Sequence, residues 1–158
     1  MSGLDPVLGR REISAPVAME AFGEEIGRML RGGDLVVLTG PLGAGKTTLT
    51  RGIAAGLGVR GPVQSPTFVI ARTHPSLVGG PVLVHVDAYR LGSAMELDDL
   101  DIDVERSVVI VEWGRGMVEG LRDVWWEIEL ERPVGGEATT SDELDGDAPR
   151  VVTVTRRP

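Results

Sequence analysis

No cysteine occurs among the 158 residues, which removes disulfides, zinc–thiolate sites and a cysteine nucleophile from consideration. Long apolar runs are missing too: none approaches the roughly 18–20 residues that a membrane-spanning helix needs. The opening stretch, MSGLDPVLGRREISA, lacks an apolar h-region, so no secretory signal is expected. A soluble cytoplasmic protein without a membrane partner fits these absences. Basic residues are outnumbered, 16 Lys and Arg against 24 Asp and Glu for a net charge of −8. No basic cluster stands ready for nucleic-acid phosphates, so any contact with RNA is expected to go through a partner. Lysine is scarcest of all, since 15 of those bases are Arg and the remaining one is Lys46.

What is present reads as one globular α/β domain over residues 1–158, with 42% apolar residues. A short strand is expected at Arg10–Ile13. A helix follows over Ala15–Arg31, with Val17, Phe22, Ile26 and Leu30 at helical spacing, Ser14 as cap and Gly32–Gly33 as stop. Asp34–Thr39 is a continuous apolar run, the mark of a strand covered on both faces. Helical spacing resumes over Lys46–Leu57. Strands are expected at Phe68–Thr73, Val82–Asp87, Val108–Glu112, Trp125–Glu131 and Arg150–Thr155. The last two flank an acidic loop at about 133–149, which holds five acids and no base, and should pair antiparallel at a sheet edge. Of Trp125 and Trp126, alternation sends one to the core and the other to the surface.

Between the buried strand and the helix stands Gly40-Pro41-Leu42-Gly43-Ala44-Gly45-Lys46-Thr47, which matches the phosphate-loop pattern in the setting that pattern requires. Gly40, Gly43 and Gly45 permit the backbone conformations that turn successive N–H groups inward onto phosphates. The helix N-terminus adds its positive dipole end. Lys46 is expected on the β- and γ-phosphates and the Thr47 hydroxyl on Mg²⁺. Together with Leu42, Ala44 and Thr48, these residues form the expected cofactor site. Strand, helix, strand order with buried runs points to a mainly parallel sheet with helices on its faces, an α/β domain.

Ligands of open parallel sheets lie beyond the strands' carboxyl ends, and two apolar strands here finish on an acid. Asp87 has the form of a Walker B residue on the Mg²⁺ side, and Glu112 is placed to orient or activate the attacking water, within reach of the metal. A helix cap or surface ion pair is the plainer alternative for each. Thr67, in Ser65-Pro66-Thr67-Phe68, either contacts Mg²⁺ or the γ-phosphate or is structural. Trp113 either packs on the site or fills core, the latter favoured on general grounds. Arg90 is a phosphate clamp or a surface charge. His85, inside an apolar strand, reads as a satisfied core histidine. The guanine-reading Asn-Lys-x-Asp motif cannot exist, because the single Lys is committed to the loop. ATP is therefore the expected nucleotide.

The ordered set GPLGAGKTT, SPTF, HVDAYRL and VEW resembles the TsaE (formerly YjeE) family of bacterial ATPases in tRNA threonylcarbamoyladenosine biosynthesis, over about Ala15 to Trp126. The resemblance implies a P-loop NTPase-like three-layer α/β fold, its mainly parallel central sheet flanked by antiparallel strands at the margins, and weak or partner-dependent ATP hydrolysis. It also implies binding to TsaD and TsaB, which carry out threonylcarbamoyl transfer to the adenosine beside the anticodon. It maps the loop lysine and threonine to Lys46 and Thr47, the Mg-side acid to Asp87, the SPTF threonine to Thr67 and the Glu-Trp pair to Glu112 and Trp113. The sequence departs from the family in Trp113-Gly114-Arg115-Gly116, in the acids Asp98–Asp103 and in the long 133–149 loop, changes that touch partner-facing or peripheral regions more than the phosphate site. The alternatives are a small P-loop metabolite kinase and a nucleotide-gated switch without hydrolysis. A kinase needs an arginine-bearing lid, whereas Gly92–Ser107 carries five acids after Glu96 and only Arg106.

Overall fold

The computed structural model describes residues 4–41, 45–61, 71–91, 96–97, 100–132 and 149–157. Leu42, Gly43, Ala44, Thr67 and the acidic loop up to residue 148 lie outside the described residues, as does the side chain of Arg90. Seven strands form one sheet in the order β1-β7-β6-β2-β5-β4-β3. They are β1 (Gly9–Ile13), β2 (Leu35–Thr39), β3 (Ala71–His74), β4 (Leu83–Asp87), β5 (Val108–Glu112), β6 (Trp125–Glu131) and β7 (Arg150–Arg157). The four central strands β6, β2, β5 and β4 run parallel. Antiparallel β7 and β1 close one margin and β3 the other. The expected β6–β7 pair is antiparallel, but β1 pairs outside β7, so the pair is not the edge. Nothing local in Arg10–Ile13 announces a partner some 140 residues away.

Strands β2 and β5 are β-branched and aliphatic runs because both sheet faces are covered; Val36, Val37, Leu38 and Val108–Val111 are fully buried. One face packs on the helices α1 (Pro16–Met29) and α2 (Lys46–Leu57), through Met19, Phe22, Ile26, Leu49 and Ile53. On the other face lie Leu97, Val118 and the partly buried Leu100, Ile102 and Leu121. The third layer is therefore built of short turns among the described residues. Coverage of both faces also corrects the tryptophan reading. Trp126 enters the helix-side core and Trp125 the opposite one, both buried.

Helix α1 begins after Ala15, which makes no side-chain cap; Pro16 stands in its first turn, where its fixed φ suits a helix and its missing N–H costs nothing. Ser14 is thus not the cap. Val17 is 81% exposed, because five residues from Phe22 is about 140° around a 3.6-residue helix. Met19, three residues from Phe22, takes the buried place. Helix α2 ends at Gly58, whose φ of 75° lets its N–H reach the carbonyls of Ala54 and Ala55. The helices approach closely through glycines: a Cβ on Gly23 or Gly27 would run into the backbone of α2, and one on Gly52 or Gly56 into the backbone of α1.

A buried histidine at the sheet margin gives a pH prediction. His74 Nδ1 donates to the Arg60 carbonyl at 3.1 Å, since a carbonyl only accepts. Its Nε2 is buried without a partner among the described residues. Burial first of all lowers its pKa below the usual value, with His85 and Arg72 adding to the shift and the Arg60 hydrogen bond opposing it. The unfolded chain therefore takes up a proton near pH 6.5 that the folded chain resists. The contribution is full above that pH and is lost as pH falls toward the folded value. Stability should therefore fall as pH drops from 7 through about 6.5, where the unfolded chain takes up its proton and the folded chain does not. Thermal unfolding of His74→Gln over that range should show the shallower slope.

Candidate phosphate site at the carboxyl ends of the strands

The site grows out of the β2-to-α2 turn. β2 delivers the chain to Gly40, and Gly45 takes φ 103° as the residue preceding α2, a conformation that strains any residue with a Cβ. Helix α2 then starts at Lys46, with Thr47 and Thr48 partly buried in its first turn. Lys46 is 8% exposed. Its Nζ donates to the Gly40 carbonyl at 2.6 Å, lies 4.0 Å from Glu112 Oε1 and sits 3.9 Å from the centroid of the Trp113 ring. Burial lowers its pKa, while the carboxylates of Glu112 and Asp87 pull the other way. A desolvated ammonium with few tight partners is well suited to gain from incoming phosphate oxygens.

The acids stand side by side. Asp87 and Glu112 are register partners on the parallel strands β4 and β5, and Glu112 is also opposite Leu38 of β2. Register partners project to the same sheet face, and both carboxylates act on the Lys46 ammonium. Asp87 Oδ1 accepts from the Tyr89 N–H at 3.1 Å, capping the short turn Ala88–Arg90. The cap alternative for Asp87 is thus real, and it coexists with a position at the site. Glu112 is 4% exposed, and its Oε2 receives His85 Nε2 at 2.5 Å. A surface ion pair is not its situation.

Trp113 stands at the site, not in the core. Its N–H bonds to the Leu38 carbonyl, its φ is 61° and its ring tilts at 58° against Tyr89, centroids 5.5 Å apart. A left-handed conformation at a bulky residue is costly and clusters at functional positions. Here it turns the indole back over Lys46. Gly114 follows because a Cβ there would stand 2.6 Å from Val111 Cγ1. Arg115, part of the departure after Glu-Trp, ties this turn to β6 through Glu127 at 3.5 Å and Glu129 at 3.7 Å.

The structure thus brings together Gly40, Gly45, Lys46, Thr47, Asp87, Glu112 and Trp113. Sequence reasoning missed two contacts: His85 on Glu112 and Tyr89 on Trp113. Spacing places His85 on the face of Asp87, two residues on along the same strand, but its contact with Glu112 needs the β4–β5 pairing. The donor set suits a hard cation: carboxylates and a hydroxyl beside a phosphate loop are what Mg²⁺ takes, usually with waters and substrate oxygens completing its shell. Among the described residues no group of three or more His, Cys, Asp or Glu could hold a metal by itself.

A parallel core with this strand–turn–helix, and acids ending the next two strands β5 and β4, is a P-loop NTPase-like α/β protein. Residues 13–138 match the family described as threonylcarbamoyl adenosine biosynthesis protein TsaE. The tRNA threonylcarbamoyladenosine biosynthesis protein TsaE of Streptomyces coelicolor is 56% identical over 140 residues, 87% of this chain and 89% of that one. The protein of the same description from Mycobacterium leprae is 49% identical, covering 71% of this chain and 75% of its own. The crystal structure of Bacillus subtilis YdiB superposes with a TM-score of 0.67 at 29% identity, covering 94% of this chain and 84% of that one. The chain belongs to the TsaE family. No described helix is long and apolar enough to cross a membrane.

Proposed function

We propose that this chain binds Mg-ATP and hydrolyses it in the cytoplasm, in the service of threonylcarbamoyladenosine formation on tRNA. The observation that carries the reading is the facing of Lys46 and Glu112, 4.0 Å apart at the N-terminus of α2. A cation for the γ-phosphate and a carboxylate for the attacking water thereby border one small space. Gly40, Leu42, Gly43, Ala44, Gly45, Lys46, Thr47 and Thr48 hold the nucleotide, with backbone N–H groups and the helix dipole on the phosphates. The Thr47 hydroxyl and Asp87 are the residues to hold Mg²⁺, with Glu112 close by. The ion supplies neutralisation of charge on the phosphate oxygens. Glu112 accepts a hydrogen bond from water and aims its oxygen in line with the phosphorus. Thr67 is assigned to the γ-phosphate or Mg²⁺ side, and Trp113 covers the site from the solvent side.

TsaD and TsaB are the proposed partners, with tRNA engaged only through them. The acidic balance supports indirect contact, because a net charge of −8 repels a phosphate backbone. Steady-state ATP hydrolysis by the purified chain, alone and then with TsaB, TsaD and tRNA, tests the assignment. Low turnover alone that rises when the partners are added is the expected result. Turnover indifferent to the partners but stimulated by a hydroxylated metabolite, with a phosphorylated product, would establish a kinase instead.

A further inference from the structure

We infer that His85 is a positioning residue for hydrolysis, holding the Glu112 carboxylate by one oxygen so that the other faces the Lys46 side of the site. The inference rests on the proposed ATPase reading and adds a residue to it. His85 lies on β4, fully buried, in register with Ile110 of β5. Glu112 is two residues further along β5, on the same face and diagonal to His85. Diagonal neighbours on adjacent strands are within reach of long side chains, and an imidazole and a glutamate side chain can bridge the gap together. They do so, Nε2 to Oε2 at 2.5 Å. A carboxylate oxygen accepts, so Nε2 is the donor.

The two carboxylate oxygens are thereby divided: Oε2 is committed to His85, and Oε1 is the oxygen 4.0 Å from Lys46 Nζ. Without His85 the side chain keeps only that longer contact and is free to rotate about its terminal torsion, whose rotamer well is broad. Mere filling of the core does not account for the histidine. Among the described residues its Nδ1 is buried without a hydrogen-bond partner, a cost that an apolar side chain of similar size would avoid. The Glu112 contact is what the imidazole provides in return.

Three substitutions test this, each measured for ATP affinity at equilibrium, for KM and kcat, and for thermal unfolding. His85→Leu removes the donor, His85→Asn leaves it too short to reach, and His85→Gln places an N–H donor near the Nε2 position. Misplacing a reacting group by about 1 Å can cost on the order of 100-fold. In the Leu and Asn variants kcat should therefore fall about 10- to 100-fold while ATP affinity and KM stay within about threefold. His85→Gln should recover most of that loss. Should the Leu variant fail to fold, the Asn and Gln pair decides by itself. Wild-type kcat in Asn and Leu alike overturns the inference, as does a loss of affinity and kcat in proportion in all three, which marks a purely structural histidine. A wild-type chain that binds ATP yet does not turn it over, with partners present, overturns the ATPase reading and this inference with it.

Discussion

Glu112→Gln is expected to lower ATP turnover by at least about 100-fold, the usual contribution of a positioned general base, while ATP affinity holds or improves. The amide keeps the volume of the side chain, and its oxygen can still accept from His85 Nε2, so the buried pair is not broken outright. What disappears is the carboxylate that faces Lys46 across 4.0 Å and that is proposed to accept a hydrogen bond from the attacking water. Affinity is spared because one negative charge beside the polyphosphate is removed. Lys46 loses a carboxylate that raises its pKa, but incoming phosphate oxygens supply the same favourable field. Single-turnover hydrolysis and equilibrium ATP binding on the same preparation separate the effects. Undiminished hydrolysis removes Glu112 from the chemistry, and equal losses in both assign it to folding. A nucleotide-gated switch predicts a third pattern, in which wild type and variant bind ATP alike and neither turns it over.

The largest stability effect is expected at Gly52. Its α-carbon faces the Glu20 and Gly23 backbone of α1, and a Cβ there would overlap the Glu20 carbonyl. Rotamer changes cannot relieve this, because the obstructing atoms are main chain. Gly→Ala inside a helix ordinarily gains about 1 kcal/mol from propensity. Gly52→Ala should instead lose about 3 kcal/mol, the upper end for overpacking, because the helices must move apart along their whole crossing. For a domain of this size that is a drop of roughly 6–12 °C in the thermal midpoint. Separation would also tilt α2, whose first residue is Lys46, so ATP affinity should weaken along with stability. A midpoint equal to or above wild type would show that α1 and α2 do not touch at these glycines.

Glycine contacts of this kind show where sequence reading reaches its end. Apolar periodicity found both helices and nearly every strand, and the bounds of α2, β5 and β6 agree with the reading to the residue. Those features are local, because a helix or a buried strand is encoded within its own ten residues. The phosphate loop was legible for the same reason: strand, glycine turn and helix are contiguous, and the lone Lys marks the position. That Asp87 and Glu112 each end an apolar strand was also readable.

Pairings between distant segments were decided by tertiary structure alone. The register that sets Asp87 beside Glu112, the bond from His85 to Glu112 across 27 residues and the indole of Trp113 over Lys46 all depend on strand order. So does the placing of β1 outside β7, and so does the burial of both Trp125 and Trp126. Periodicity reports that a face is apolar, but not which partner will cover it. A strand's neighbours are chosen by the packing of the whole sheet against its two layers. By itself, then, the sequence determined the phosphate loop, its lysine and the acids available to it. Only the folded sheet determined which carboxylate oxygen faces that lysine and which histidine holds it there, since hydrogen bonds form between neighbours in space.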